Sequence, residues 1–328
     1  MEDVNTLVNT FENFKGVLYN ISQKVAKLRE GIIEKFVSKF EPRKGTIQGH
    51  VYLPKEFAGK EVVIILKDVF SKHELLPQGT LERFKLLFKR HRSLCKLIER
   101  EHSTKMFSIV TETWNPVTGC LHHCKYCWAR RLAETRLKNS KRYSNGFTPR
   151  LNKEEFNKKF RGGVVFVSDM GDLFGEFIPD EWIEAVIKHV KKFPNTFFLF
   201  LTKNPSRYND FDFPENAILG ATIETDKDEI YGEISKSPKP SERIEAMIKL
   251  DWSFKFLSIE PILDFSPTFW RKIEKINPFM IYVGYDNYYN KLPEPTLDKT
   301  LSLTKKLRDN GFLVLEKTMR RAWYEKEE

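Results

Sequence analysis

The chain has 328 residues, of which 41% are hydrophobic and 30% charged. That is enough apolar material for two domains, or one large domain with an extension, and it excludes a disordered tail. No stretch approaches the ~20 apolar residues of a membrane helix, and the amino terminus, MEDVNTLVNTFENF, lacks the basic patch and apolar run of a signal peptide; a cytoplasmic protein without membrane contact is expected.

The formal charge of +10 is mostly amino-terminal: residues 1–110 hold 20 Lys+Arg against 13 Asp+Glu. Polyanion binding follows if those charges share a face, and ordinary solubility if they do not. In residues 1–43, Leu7, Phe11, Phe14, Leu18, Ile21, Val25, Leu28 and Ile32 recur at spacings of four and three, which predicts a long amphipathic helix. Its seam calls for an antiparallel helix, a second copy in a coiled-coil homodimer, or the chain's own body. Residues 44–70 change period. The stretch GTIQGHVYLPKEFAGKEVVIILK places β-branched runs around a glycine-containing middle, as in a small β-hairpin module. Residues 71–105 read as a basic helical linker. Between Leu81 and Arg100 apolar side chains keep helical spacing while seven Lys and Arg decorate the rest; Cys95 falls on the apolar side.

From 106 to 328 short apolar strands alternate with helical stretches. Strands are predicted at 107–110, 164–168, 197–202, 218–223, 256–259, 280–284 and 312–315, and helices at 127–138, 180–193, 241–250, 267–275 and 297–310. Strands separated by helices make parallel βαβ units, and six or more imply an α/β fold of the partial (β/α)6-type TIM barrel, here with an N-terminal helical and β-hairpin extension. Chemistry in such a barrel belongs at the carboxyl ends of the strands.

Directly after the first predicted strand comes TWNPVTGCLHHCKYCWARR, Thr113–Arg131. Cys120, Cys124 and Cys127 are spaced C-x3-C-x2-C. A disulfide uses two thiols and a closed zinc site four ligands; zinc remains open through His122 or His123, but there is no second cysteine pair. Iron–sulfur clusters are held by thiolates in short loops of this kind, and three thiolates on a four-iron cluster leave one iron open.

The cysteine spacing, with the aromatic Tyr126 before the last thiol, resembles the signature of the radical S-adenosylmethionine superfamily. TWNPVTGC, SDMGDLF, LTKNP, RIEAM and LSIEPIL together are similar to a phage and prokaryotic branch of it, over about residues 107–315, and LTK bears some likeness to the spore photoproduct lyase group. The resemblance implies a radical enzyme with a 4Fe-4S cluster on Cys120, Cys124 and Cys127, whose open iron chelates S-adenosylmethionine. It implies reductive cleavage of that cofactor, a 5′-deoxyadenosyl radical that takes hydrogen from substrate, and an external electron donor. It also implies cofactor contacts at Tyr126, at Ser168, Asp169 and Asp172 after the second strand, at Thr222 and Glu224 for ribose hydroxyls, at Arg243 for the methionine carboxylate, and at Ser258; Asp172 would alternatively cap the next turn, and Arg243 form a surface salt bridge. Lys203, Glu260 and Tyr285 are the candidates for facing substrate; Lys203 and Glu260 would alternatively pair with each other, and tyrosines 282, 285, 288 and 289 fall near the barrel mouth.

Residues 125–150 carry eight Lys+Arg against Glu134 alone. With the basic residues 83–100 they point to DNA or RNA as partner, Trp128, Tyr143 and Phe147 being available to stack bases. The competing readings are an enzyme of a peptide or small metabolite with a merely solvated basic surface, and a non-catalytic, metal-stiffened nucleic-acid-binding module.

Overall fold

The computed structural model describes residues 106–326. The predicted helix of 1–43, the hairpin module of 44–70 and the basic linker up to 105 lie outside the described residues.

Seven strands form one sheet: β1 (Glu112–Trp114), β4 (Val164–Val167), β5 (Phe197–Thr202), β6 (Ala217–Thr222), β7 (Lys255–Ile259), β8 (Met280–Val283) and β9 (Val314–Glu316). They pair in chain order and every pairing is parallel. Runs such as VVFV, FFLFLT and MIYV are apolar on both faces because a parallel sheet is covered on both. A small antiparallel pair, β2 (Val117–Thr118) with β3 (Arg150–Leu151), brackets the cysteine segment.

The outer face carries the helices. α2 (Asp180–Val190), α3 (Pro240–Lys249), α4 (Phe269–Ile276) and α5 (Leu297–Asp309) follow β4, β6, β7 and β8. In α2, Ile183, Val186, Ile187 and Val190 recur at helical spacing and pack in one core with Val165, Phe198, Leu257 and Ile281 of the strands. Thr296 caps α5 through its hydroxyl, which accepts from the Lys299 N–H, and Asn277 ends α4 in the left-handed region at φ 58°. Between β5 and β6 the crossover is a short turn, Pro205–Asp210.

The inner face shows that the sheet is curled. Phe166 on β4, Phe256 on β7 and Tyr282 on β8 all meet one ring, Phe107, at centroid distances of 5.6, 5.1 and 4.8 Å. In a flat sheet β4 and β8 would stand roughly 19 Å apart, four spacings of about 4.8 Å. The result is an open, parallel half-barrel, the predicted partial TIM barrel, with Phe107 as its floor.

The predicted strand at 107–110 is not one. Val110 N–H closes a turn onto the Phe107 carbonyl at 3.0 Å, and Phe107 and Ile109 are fully buried. The run is apolar because it plugs the barrel, and pairing with β4 begins only where Thr111 N–H reaches the Val164 carbonyl. The helix predicted over 127–138 is shorter, α1 (Trp128–Glu134), because Thr135 leaves helical geometry. The last strand lies at 314–316, starting two residues later than predicted and ending one later. Among the described residues no helix is long and apolar enough to cross a membrane.

Candidate functional site

A cavity of about 750 Å³ opens at the carboxyl ends of the strands, and all three clustered cysteines border it. The loop that presents them is pinned on several sides. Gly119, at φ 89°, passes so close to the β3 approach that an added Cβ would stand 2.2 Å from the Thr148 carbonyl oxygen. Its N–H donates to the Met170 carbonyl at 2.9 Å, and Cys120 N–H donates to that of Phe147 at 3.0 Å. His122 Nε2 meets Asp172 Oδ2 at 3.0 Å, while the His122 carbonyl accepts from Lys236 N–H at 2.7 Å.

Each sulfur has a polar neighbour. Cys120 Sγ accepts from the His122 N–H at 3.4 Å, Cys124 Sγ lies 3.1 Å from Ser235 Oγ, and Cys127 Sγ accepts from the Arg130 N–H at 3.3 Å as the cap of α1. Burial holds the Cys120 thiol well above its ordinary pKa, with the Asp172 carboxylate adding to the effect, and burial raises that of Cys127. Buried thiols of this kind release their protons when they bind metal. Among the described residues no three His, Cys, Asp or Glu side chains converge on a single ion position. The thiols instead share a wide cavity, with hydrogen bonds of the sort that tune iron–sulfur ligands, and in donor chemistry they fit a cluster.

The strand ends bring further groups to the same space. Asp169, Thr222, Ser258, Tyr126, Lys203, Glu260 and Tyr285 all line the cavity. The Asp169 carboxyl is raised by burial although Asn115 donates to it. Ser168 sits at φ 56° at the end of β4 with its hydroxyl buried and unpartnered among the described residues; it is not on the cavity wall. Asp172 is committed to the fold: its two oxygens accept from Phe174 N–H (3.1 Å), Thr202 Oγ1 (2.6 Å), His122 and Lys203 N–H (2.9 Å). Burial would raise its pKa, but these donors hold it below the ordinary value.

Glu224 and Arg243 lie behind the wall. β6 ends at Thr222, so strand alternation does not continue to Glu224, which is fully buried just behind the wall residues Lys203 and Tyr126. It receives Arg243 Nη1 at 2.8 Å and Tyr231 Oη at 3.1 Å, and it also pairs with Lys203 and accepts from Tyr126. Arg243 is fully buried over the Tyr231 ring, 4.5 Å from its centroid. Burial works against the Glu224 carboxylate, yet the two cations bring its pKa down to about 2. The same carboxylate raises the Lys203 ammonium despite burial.

Lys203 and Glu260 do not pair with each other. Lys203 reaches Glu224 and Tyr126 (2.7 Å), whereas Glu260 takes Lys317 from the end of β9 at 2.5 Å. Both partners of this second pair line the cavity, and burial raises the Glu260 carboxyl despite the lysine. Lys317 was missed in the sequence, although it follows an apolar run as the other strand-end groups do. Ser235, which meets Cys124 from 111 residues away, had no local signal. Tyr143 and Phe147, read as base-stacking candidates, are buried in a small core with Ala129, Ala133 and Met170, and of the two only Phe147 also borders the cavity. Tyr282 lies on the barrel floor, 2.8 Å from Ser108 Oγ, rather than at the mouth.

An open half-barrel with three thiols and polar strand ends around one cavity defines the class of architecture. A family model described as "Protein of unknown function (DUF5131)" matches residues 102–269, and the chain belongs to that family. No curated protein matches the sequence. Among solved structures the chain is similar to spore photoproduct lyase complexed with dinucleoside spore photoproduct, at 11% identity over 66% of this chain and 81% of that one, with a TM-score of 0.46. It is also similar to a radical SAM methyltransferase from Sphaerobacter thermophilus, at 13% identity over 64% and 65%, with a TM-score of 0.40.

Proposed function

We propose that the protein is a radical S-adenosylmethionine enzyme. The observation that carries this reading is the placement of the C-x3-C-x2-C thiols on the wall of the same cavity as the strand-end polar groups. Cys120, Cys124 and Cys127 would hold a 4Fe-4S cluster. Such a cluster, when bound, supplies the electron that breaks a carbon–sulfur bond of S-adenosylmethionine and so provides a radical able to take hydrogen from substrate. An external donor must deliver that electron.

The protein's own groups then bind and orient. Asp169 offers the cavity a carboxylate suited to an ammonium group, and Thr222 and Ser258 offer hydroxyls from adjacent strand ends. Tyr126 is fixed by Lys203 and Glu224, and Arg243 acts from behind by holding Glu224. Lys203, Glu260 and Tyr285 complete a wall toward substrate. The substrate class favoured by the charge of the chain is nucleic acid.

Anaerobic reconstitution with iron and sulfide, comparing the native chain with Cys124→Ala, tests the chemistry. Close to four irons per chain is expected for a 4Fe-4S cluster, together with a reduced-state spectrum altered by S-adenosylmethionine and release of 5′-deoxyadenosine, all lost in the variant. Tight zinc with no response to S-adenosylmethionine would overturn the proposal.

A further inference from the structure

Beside the cavity mouth the chain exposes a set of aromatic rings that core packing does not explain. Tyr288 and Tyr289, in the loop after β8, are 46% and 73% exposed, and Trp323 and Tyr324, near the carboxyl end, are 46% and 48% exposed. These are four of the eight exposed large hydrophobic side chains among the described residues. The two segments form one surface. Trp323 Nε1 donates to the Leu292 carbonyl at 2.7 Å, Tyr324 Oη to that of Glu294 at 2.8 Å, and Arg320 to that of Asp286 at 2.7 Å. Tyr288 is itself part of the cavity wall.

The loop is held in this form by local constraint. Asp286 accepts from Asn290 through backbone and side chain, and Tyr289 and Lys291 are left at φ 52° and 50°, a region costly for residues other than glycine. Strained backbone that presents two rings to solvent at a cavity mouth is suited to meeting a ligand.

Charge decides which ligand. Guanidinium groups already lie over these rings: Arg131 over Tyr288 at 5.2 Å and Arg320 over Tyr289 at 5.6 Å. The acids of the surface are turned inward and occupied. Asp286 and Glu294 are buried, Glu294 holding Arg320, and Glu325 accepts from the Leu297 and Ala322 N–H groups. The charged side chains left exposed in 285–293 and 320–326 are all cations, Lys291, Arg321 and Lys326.

We infer that this rim is a stacking platform for single-stranded nucleic acid, which lays its bases on Tyr288, Tyr289 and Trp323 and its phosphates against the exposed cations, at the entrance to the cavity. Planar rings interleaved with cations are the surface that such strands use, since every base has a π-face. The inference rests on the nucleic-acid reading of the substrate above and gives it a location.

Fluorescence anisotropy of a short labelled oligodeoxythymidylate, and of its RNA counterpart, on the full reconstituted chain tests it. Tyr288→Ala with Tyr289→Ala is expected to weaken binding by roughly tenfold to a hundredfold, and Trp323→Leu by about tenfold. Tyr289→Phe, which keeps the ring, should bind within about twofold of the native chain. Unchanged melting temperatures would establish that the exposed positions left the fold intact. If the native chain binds the oligonucleotide and the alanine variants bind equally well, the platform is wrong while the substrate class stands. Absence of any binding by the native chain would overturn both. Equal competition by an acidic peptide, sensitive to the same variants, would reassign the rim to a protein partner. Iron loading measured on the same samples reports separately on the radical chemistry.

Discussion

Glu224 is the residue on which the back of the site turns. It is a fully buried carboxylate facing two cations, Lys203 and Arg243, with hydroxyls of Tyr126 and Tyr231 completing its shell. The group therefore carries a net positive charge, with Glu224 and Arg243 fully buried and Lys203 reaching the cavity wall. Breaking a buried pair by removing one partner typically costs about 3–5 kcal/mol, because the other charge stays behind unpaired. Glu224→Gln leaves two unpaired cations, and urea unfolding should show a loss in or above that range, larger than for Arg243→Met, which removes one cation and leaves Lys203 to hold the carboxylate. The sign with pH follows from linkage. The carboxyl titrates near 4.3 in an unfolded chain and near 2 here, so its contribution is fully present above about pH 4.3 and is lost as pH falls toward 2. Stability of the native chain should decline steeply through that window, and the Glu224→Gln variant should show a flatter profile. Polar letters at the ends of apolar runs made Lys203, Thr222 and Glu260 legible in the sequence. Glu224 was legible too, but as a ribose contact and not as the partner of Lys203, because it lies past the end of its strand; Lys317, which meets Glu260 across 57 residues, was not.

At the level of elements, hydrophobic patterning carried the half-barrel, since the central parallel strands are short, nearly continuous apolar runs and α2 to α5 keep their period. It failed where an apolar run does something other than pair. Phe107 to Val110 has the letters of a strand but serves as the floor on which Phe166, Phe256 and Tyr282 close. A run of four is too short for periodicity to separate the two uses. The floor gives a direct expectation. Phe107→Ala should cost about 3–5 kcal/mol, as for a core ring lying within a strand, because the barrel interior cannot collapse onto the space. The Lys317 ammonium, 5.0 Å from the centre of that ring, would also lose its cation–π partner next to Glu260. Denaturant unfolding of Phe107→Ala beside Leu313→Ala, at an exposed position of similar apolar character, should show a deficit of several kcal/mol for the first and less than about 1 kcal/mol for the second.

For the whole molecule, net charge is a coarse guide that the structure refines. The eight cations of 125–150 differ in what already occupies them. Arg142 is spent on Glu154 and Glu155 at 3.0 and 2.9 Å, Arg130 donates to the Cys120 carbonyl at 2.7 Å, and Arg150 donates to that of Lys141 at 2.6 Å. Arg136 and Lys138 are exposed and form no ion pair among the described residues. A count of letters treats these alike, whereas a phosphate chain would pair more readily with exposed cations free of ion pairs, such as Arg136 and Lys138, than with Arg142. Binding of a single strand releases counterions, so the logarithm of affinity falls with the logarithm of salt at a slope of about 0.7 per phosphate neutralised. Arg136→Gln with Lys138→Gln should therefore reduce that slope by up to about 1.4 and leave thermal stability nearly unchanged. Arg142→Gln should do the reverse, leaving the slope as it was and lowering the melting temperature, because Glu154 and Glu155 would face each other without their shared cation. Titrations of oligonucleotide affinity across salt, run beside melting curves of the same variants, separate the two classes. Equal slope changes for both would mean that the ion pairs of Arg142 open to phosphate and that charge alone, irrespective of partnering, sets the interaction.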